Sequence, residues 1–230
     1  VQERVDGSSI FENGVSASLV FSSYVEMTSF GGGQESSALL EDHEERAGRG
    51  ARWLVFGVYC GLGLVLVVTY VWGIVRCFEK YDTAAVLWGG IEDEKWLLHI
   101  YYSSIGLATL GFFPALLHML KAAPVMPKAR VNRICGFFAG FYVTEMFWMP
   151  MCVAYLANPS LWIYVLIRLQ LAASGLLAIA WASSVCAIPS RCKAETGSCL
   201  QMAGFAGTIM FAAHCAILDA IVWPPFFHKD

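Results

Sequence analysis

Residues 53–75 read WLVFGVYCGLGLVLVVTYVWGIV, twenty-three positions without a formal charge, held between Arg52 and Arg76. A helix needs about 20 mostly apolar residues to cross the hydrocarbon core of a bilayer. This stretch therefore predicts a membrane-spanning helix, and the same pattern recurs outward from it. Trp96–Leu120 lies between Lys95 and Lys121, interrupted by His99 and His118. Ile134–Ala157 contains Glu145, Leu161–Ile188 contains Arg168, and Leu200–Trp223 contains His214 and Asp219. Asn158-Pro159-Ser160 separates the third and fourth runs, and proline does not continue a helix interior. Two spans joined by so short a link predict an antiparallel hairpin.

The composition agrees. The 230 residues are 57% hydrophobic and 14% charged, where a soluble domain is about a quarter charged. Nine of the 18 acids and three of the 15 bases fall in residues 1–50. A net charge of −3 without a basic stripe excludes a nucleic-acid partner. The fold class expected is an all-α integral membrane protein. It is a bundle of about five transmembrane helices (53–75, 96–120, 134–157, 161–188, 200–223) with a flexible acidic N-terminal extension over residues 1–50. The glycines 31–33 and the run Glu41-Asp42-His43-Glu44-Glu45 carry the expectation of flexibility.

Lysine and arginine set an orientation. Arg46, Arg49, Arg52, Lys121, Lys128, Arg130, Arg133, Arg191 and Lys193 fall on one side. Arg76, Lys80, Lys95 and Lys229 fall on the other. The bias puts the N-terminus on the stromal, matrix or cytosolic side. Trp53, Trp72, Trp96, Trp162 and Trp223 sit near span ends as interfacial anchors. Pro114 and Pro150 inside the second and third runs predict kinks. The chain opens on Val1 without an initiator methionine, which reads as a removed targeting peptide, suiting an imported organellar protein, or as an N-terminus not recovered. The lack of an N-glycosylation sequon speaks against a glycosylated cell-surface protein.

Ionisable groups inside a membrane are costly and point to function or to a lock. Arg168 is expected to pair with Glu145, with Asp219 or with both. That network reads first as an ion pair holding the bundle and second as the wall of a substrate cavity. His214, deep in the fifth run, reads first as a hydrogen-bonding partner of a neighbouring helix and second as a ligand to a pigment or haem. On a regular α-helix His214 and Asp219, five residues apart, do not share a face. Six of the eight cysteines read as small packing residues, whereas Cys192 and Cys199 flank one loop. Close helix contacts are expected at Gly57-x-x-x-Gly61, at Gly136-x-x-x-Gly140, along Ser174, Ala178 and Ala182, and at Ala203 with Gly207.

No P-loop, GxGxxG, GxSxG or HExxH motif occurs. The function expected is therefore a non-catalytic accessory subunit of a large photosynthetic or respiratory membrane complex, in the thylakoid or mitochondrial inner membrane. Its partners would be other membrane subunits and the lipid bilayer. Its cofactors would be chlorophyll and carotenoid before haem, with bound lipid. The alternative is a small transporter or lipid-modifying enzyme with a polar intramembrane cavity.

Overall fold

The computed structural model describes the backbone of residues 33–188 and 197–227, and side chains from residue 45 on. Residues 1–32 of the acidic extension, the loop with Cys192, and Lys229 lie outside the described residues. The chain divides into two units, Val1–Arg46 and Ala47–Asp230. In the first, helix begins at Gly33, where the sequence predicts flexible chain through residue 50. Local composition supplies the reason: the stretch is rich in Ala, Leu, Glu and Arg, all good helix formers. Glu45 also precedes Arg49 by four residues, the spacing that favours a helix.

The protein is all-helical among the described residues, with five helices long and apolar enough to cross a membrane. Counting their π and 3₁₀ turns, these are α1 (Glu45–Tyr81), α2 (Lys95–Val125), α3 (Lys128–Ala157), α4 (Leu161–Cys186) and α5 (Ser198–Phe227). Their outer faces carry exposed Leu64, Leu110, Leu161, Leu176, Met202 and Ile221. So continuous an apolar exterior suits an integral membrane protein and not a soluble monomer.

Spatial order differs from chain order. α1 packs on α3, α3 on α4, α4 on α5, and α5 on α2. The row is therefore α1–α3–α4–α5–α2, and two helices consecutive in sequence form its two ends. The α3–α4 contact is the hairpin expected from Asn158-Pro159-Ser160.

Glycine sets the tightest contacts, at the expected Gly207 but not at the two expected GxxxG pairs. A Cβ on Gly207 would stand 2.1 Å from the Gly111 carbonyl oxygen, so α2 and α5 touch backbone to backbone. Gly175 lies against Ala216 in the same way, joining α4 to α5. By contrast a Cβ on Gly57, Gly61 or Gly136 would meet nothing within 4 Å, and one on Gly140 meets only the Leu177 side chain. The two expected GxxxG faces are thus not helix seams within this chain. The motif marks a surface on which close approach is possible, without naming the neighbour.

Aromatic side chains fill what the glycines leave. Phe138 of α3 lies 4.4 Å from the rings of both Tyr59 and Trp181. The Trp181 indole donates to the Tyr59 hydroxyl at 2.6 Å, tying α4 to α1. At the opposite end Trp223 stacks on Phe227 and donates to the Leu87 carbonyl at 3.0 Å. Only 3% of Trp223 is exposed, so it is a core residue and not the interfacial anchor expected. Its indole instead holds the α1–α2 connection. That connection begins at Asp82, in the left-handed region at φ 58°, and continues through 3₁₀ turns at Ala85–Leu87 and Gly89–Asp93. Gly89, at φ 56°, faces the backbone of Phe226, where no Cβ would fit.

Two helices are locally widened. α1 contains a π turn at Gly57–Leu62 and α5 one at His214–Val222. Such turns misalign the carbonyl ladder, and each is met by a tyrosine from a neighbouring helix. Tyr142 donates to the Tyr59 carbonyl at 3.0 Å, and Tyr101 donates to the Leu218 carbonyl.

Candidate functional site

Because α1 and α2 stand at the two ends of the row, the space between them is not filled by helix packing. They meet near one end, where a Cβ on Gly48 would lie 3.2 Å from Pro124. Beyond that point lies a cavity of about 780 Å³, walled by α1, α2, α3 and α5 and touched by Leu171 of α4. The Tyr59–Phe112–Phe138 cluster lies at one end. Ala84, Leu87 and Trp88 of the α1–α2 connection contribute at the other. Several wall residues are also exposed: Leu64 is 67% and Val67 56% exposed on α1, and Ile105 38% on α2. Their exposure leaves the cavity open between α1 and α2 toward the apolar exterior, as a lateral mouth.

The wall is apolar apart from a few convergent groups. Glu145, near the middle of α3, is 6% exposed. Its Oε2 accepts from the Tyr70 hydroxyl of α1 at 2.9 Å; its Oε1 is buried and makes no hydrogen bond among the described residues, with Ser174 and Gln170 of α4 close to the carboxyl. Across the cavity His214 is held from both sides. Its Nδ1 lies 3.0 Å from the Ser104 hydroxyl of α2, and its Nε2 3.4 Å from Asp219 Oδ2. The Tyr101 ring meets the imidazole edge-on at 6.2 Å. Trp148, one turn along α3 from Glu145, presents a buried indole N–H without an acceptor.

Two expectations are corrected here. His214 and Asp219 do share a face, because the π turn that starts at His214 bonds i to i+5 and brings residues five apart into line. Arg168 does not join the network. It is exposed on the outer side of α4, with its guanidinium 5.9 Å from the Tyr164 ring. Among the described residues no ion pair links it to Glu145 or Asp219. On α4 the inward positions are Ile167, Leu171, Ser174 and Ala178, and Arg168 falls one step off that stripe. The partner that Arg168 does not supply is replaced by a tyrosine hydroxyl, which satisfies an oxygen without adding charge.

Sequence reasoning centred on formal charge passed over Tyr70, Tyr101, Ser104 and Trp148. The available signal was the presence of hydroxyls and an indole in mid-span, where a polar atom needs a partner. His214 spends both ring nitrogens on protein contacts, so a metal at Nε2 would have to displace Asp219. Among the described residues no three His, Cys, Asp or Glu side chains converge as a metal site. No family model, curated protein or solved structure matches this chain.

Proposed function

We propose that this protein is a small membrane-embedded carrier that takes an amphiphile sideways from the bilayer into the cavity between α1 and α2. The observation that carries this reading is the lateral mouth, which leads from an apolar exterior to Glu145, His214 and Asp219. A site of this size with few convergent polar groups is the usual form of a small-molecule site. The apolar body of the ligand would lie along α1 and α2, and its polar end would meet the carboxyls. A mouth that opens onto an apolar exterior favours molecules that already dissolve in the acyl layer.

A catalytic reading draws on the Ser104–His214–Asp219 line, which resembles a nucleophile, base and orienting acid. Ser104, however, is not among the cavity-wall residues. The contact then serves to fix the imidazole in place, and the carrier reading needs no nucleophile.

The test is a comparison of lipids that co-purify with wild type and with Ala108→Trp, which fills the cavity from α2. Wild type is expected to retain one class of amphiphile near one per chain, and the variant to lose it while eluting unchanged. Identical lipid contents would overturn the reading. The accessory-subunit alternative draws on Gly57 and Gly61, where an added Cβ would meet nothing within 4 Å among the described residues. Elution of the native protein in a particle far above its own 25.3 kDa, with chlorophyll or haem absorbance, would favour that alternative.

A further inference from the structure

We infer that the occupant of the cavity is a cationic amphiphile, an amine on an apolar body, with the amine seated on Glu145. This rests on the carrier reading above and names its ligand class. Two carboxyls, Glu145 and Asp219, face one cavity, and no Lys or Arg stands among its described wall residues. An ionised carboxyl away from water needs a counter-charge. Arg168, the intramembrane cation nearest in sequence, faces outward instead.

One acceptor is open at the centre of this arrangement. Glu145 is 94% buried (6% exposed) and lines the cavity; Tyr70 occupies its Oε2, and its Oε1 makes no hydrogen bond among the described residues, although Ser174 and the buried amide of Gln170 on α4 stand close by. A protonated amine brings three donors and the missing charge to that oxygen. The surrounding rings suit the same occupant: Tyr70, Trp88, Tyr101 and Trp148 all contribute to the wall, and aromatic faces attract ammonium groups. An anionic headgroup would be a third acidic group beside these two carboxyls, with no Lys or Arg among the described wall residues to balance it. A neutral alcohol can fill the acceptor and leaves the charge unbalanced.

The experiment uses the full chain in phosphatidylcholine nanodiscs, with empty nanodiscs as the partition control. Labelled 1-dodecylamine, 1-dodecanol and dodecanoate, which share one tail, are titrated separately. The amine is expected to bind about tenfold or more tightly than the alcohol, and the carboxylate not above the empty-disc level. In Glu145→Gln the ratio of amine to alcohol affinity is expected to fall to about one. Asp219→Asn should lower the ratio by a smaller factor, since that carboxylate is already engaged with His214. Equal or tighter binding of the alcohol, binding of the carboxylate, or a preference that survives Glu145→Gln overturns the assignment. If all three bind alike, the cavity reading stands and the amine falls. If none binds, both fall together. The wild-type comparison decides the matter even if a variant fails to fold.

Discussion

The two ends of the helix row are built in opposite ways. At the α2–α5 end, backbone meets backbone at Gly111 and Gly207, and Gly204 lies against the His118 side chain. At the α1 end, the helix is attached by side chains, through aromatic contacts and the hydrogen bonds of Tyr70 to Glu145, Tyr142 to the Tyr59 carbonyl and Trp181 to the Tyr59 hydroxyl. A Cβ on its Gly57 or Gly61 would meet nothing within 4 Å among the described residues. Without a hydrophobic drive between helices in lipid, close packing and hydrogen bonds must supply the association. The α2–α5 seam has abundant packing of that kind. α1 has less, and its role differs accordingly. The seam forms a fixed wall, whereas α1 is the side on which the cavity opens.

The same substitution at the two ends should break this comparison most visibly. In Gly207→Ala the added methyl would stand 2.1 Å from the Gly111 oxygen, so the helices must separate. The expected cost is about 3 kcal/mol or more, at the upper end of overpacking effects. Thermal unfolding in mild detergent should show a large drop in midpoint or no folded protein. A midpoint within a degree or two of wild type would mean that the seam is not the fixed wall.

The next effect lies in the attachment of α1. Tyr70→Phe removes the hydroxyl that donates to Glu145 Oε2 and leaves that oxygen of a buried carboxyl without its donor. The expected loss is about 1–3 kcal/mol. Arg168→Gln, which removes the residue that charge alone would have chosen as the partner of Glu145, is expected to cost less, about 0.5–1 kcal/mol for its contact with Tyr164. If Arg168→Gln proves the more damaging, the arginine reaches the carboxyl after all.

These contrasts also mark what the sequence can and cannot convey. The five spans, the α3–α4 hairpin and the interior place of Glu145 follow from run length, a short polar link and the rarity of buried acid. The face that Arg168 presents does not. In a helix apolar all round, such as α4, no polar stripe distinguishes outside from inside. The meeting of His214 with Asp219 depends on a π turn, and one inserted residue of ladder shifts every later side chain. Nor does a GxxxG pattern say which helix lies opposite. Gly111 and Gly207, which do form a seam, belong to no pattern that pairs them across 96 positions of chain.

The smallest effect tests the open side directly. Gly61→Ala adds a methyl where nothing lies within 4 Å, inside a helix where glycine is disfavoured. With no neighbour to displace, only the backbone term remains, and the variant should gain about 0.5–1 kcal/mol. The sign is the point of the measurement, since it is opposite to that at Gly207. A loss instead of a gain in detergent would show that a surface outside this chain's own bundle packs against α1. If the loss appeared only in the native membrane and vanished on extraction, that surface would belong to another membrane protein, and Gly57 and Gly61 of α1 would be covered in the membrane.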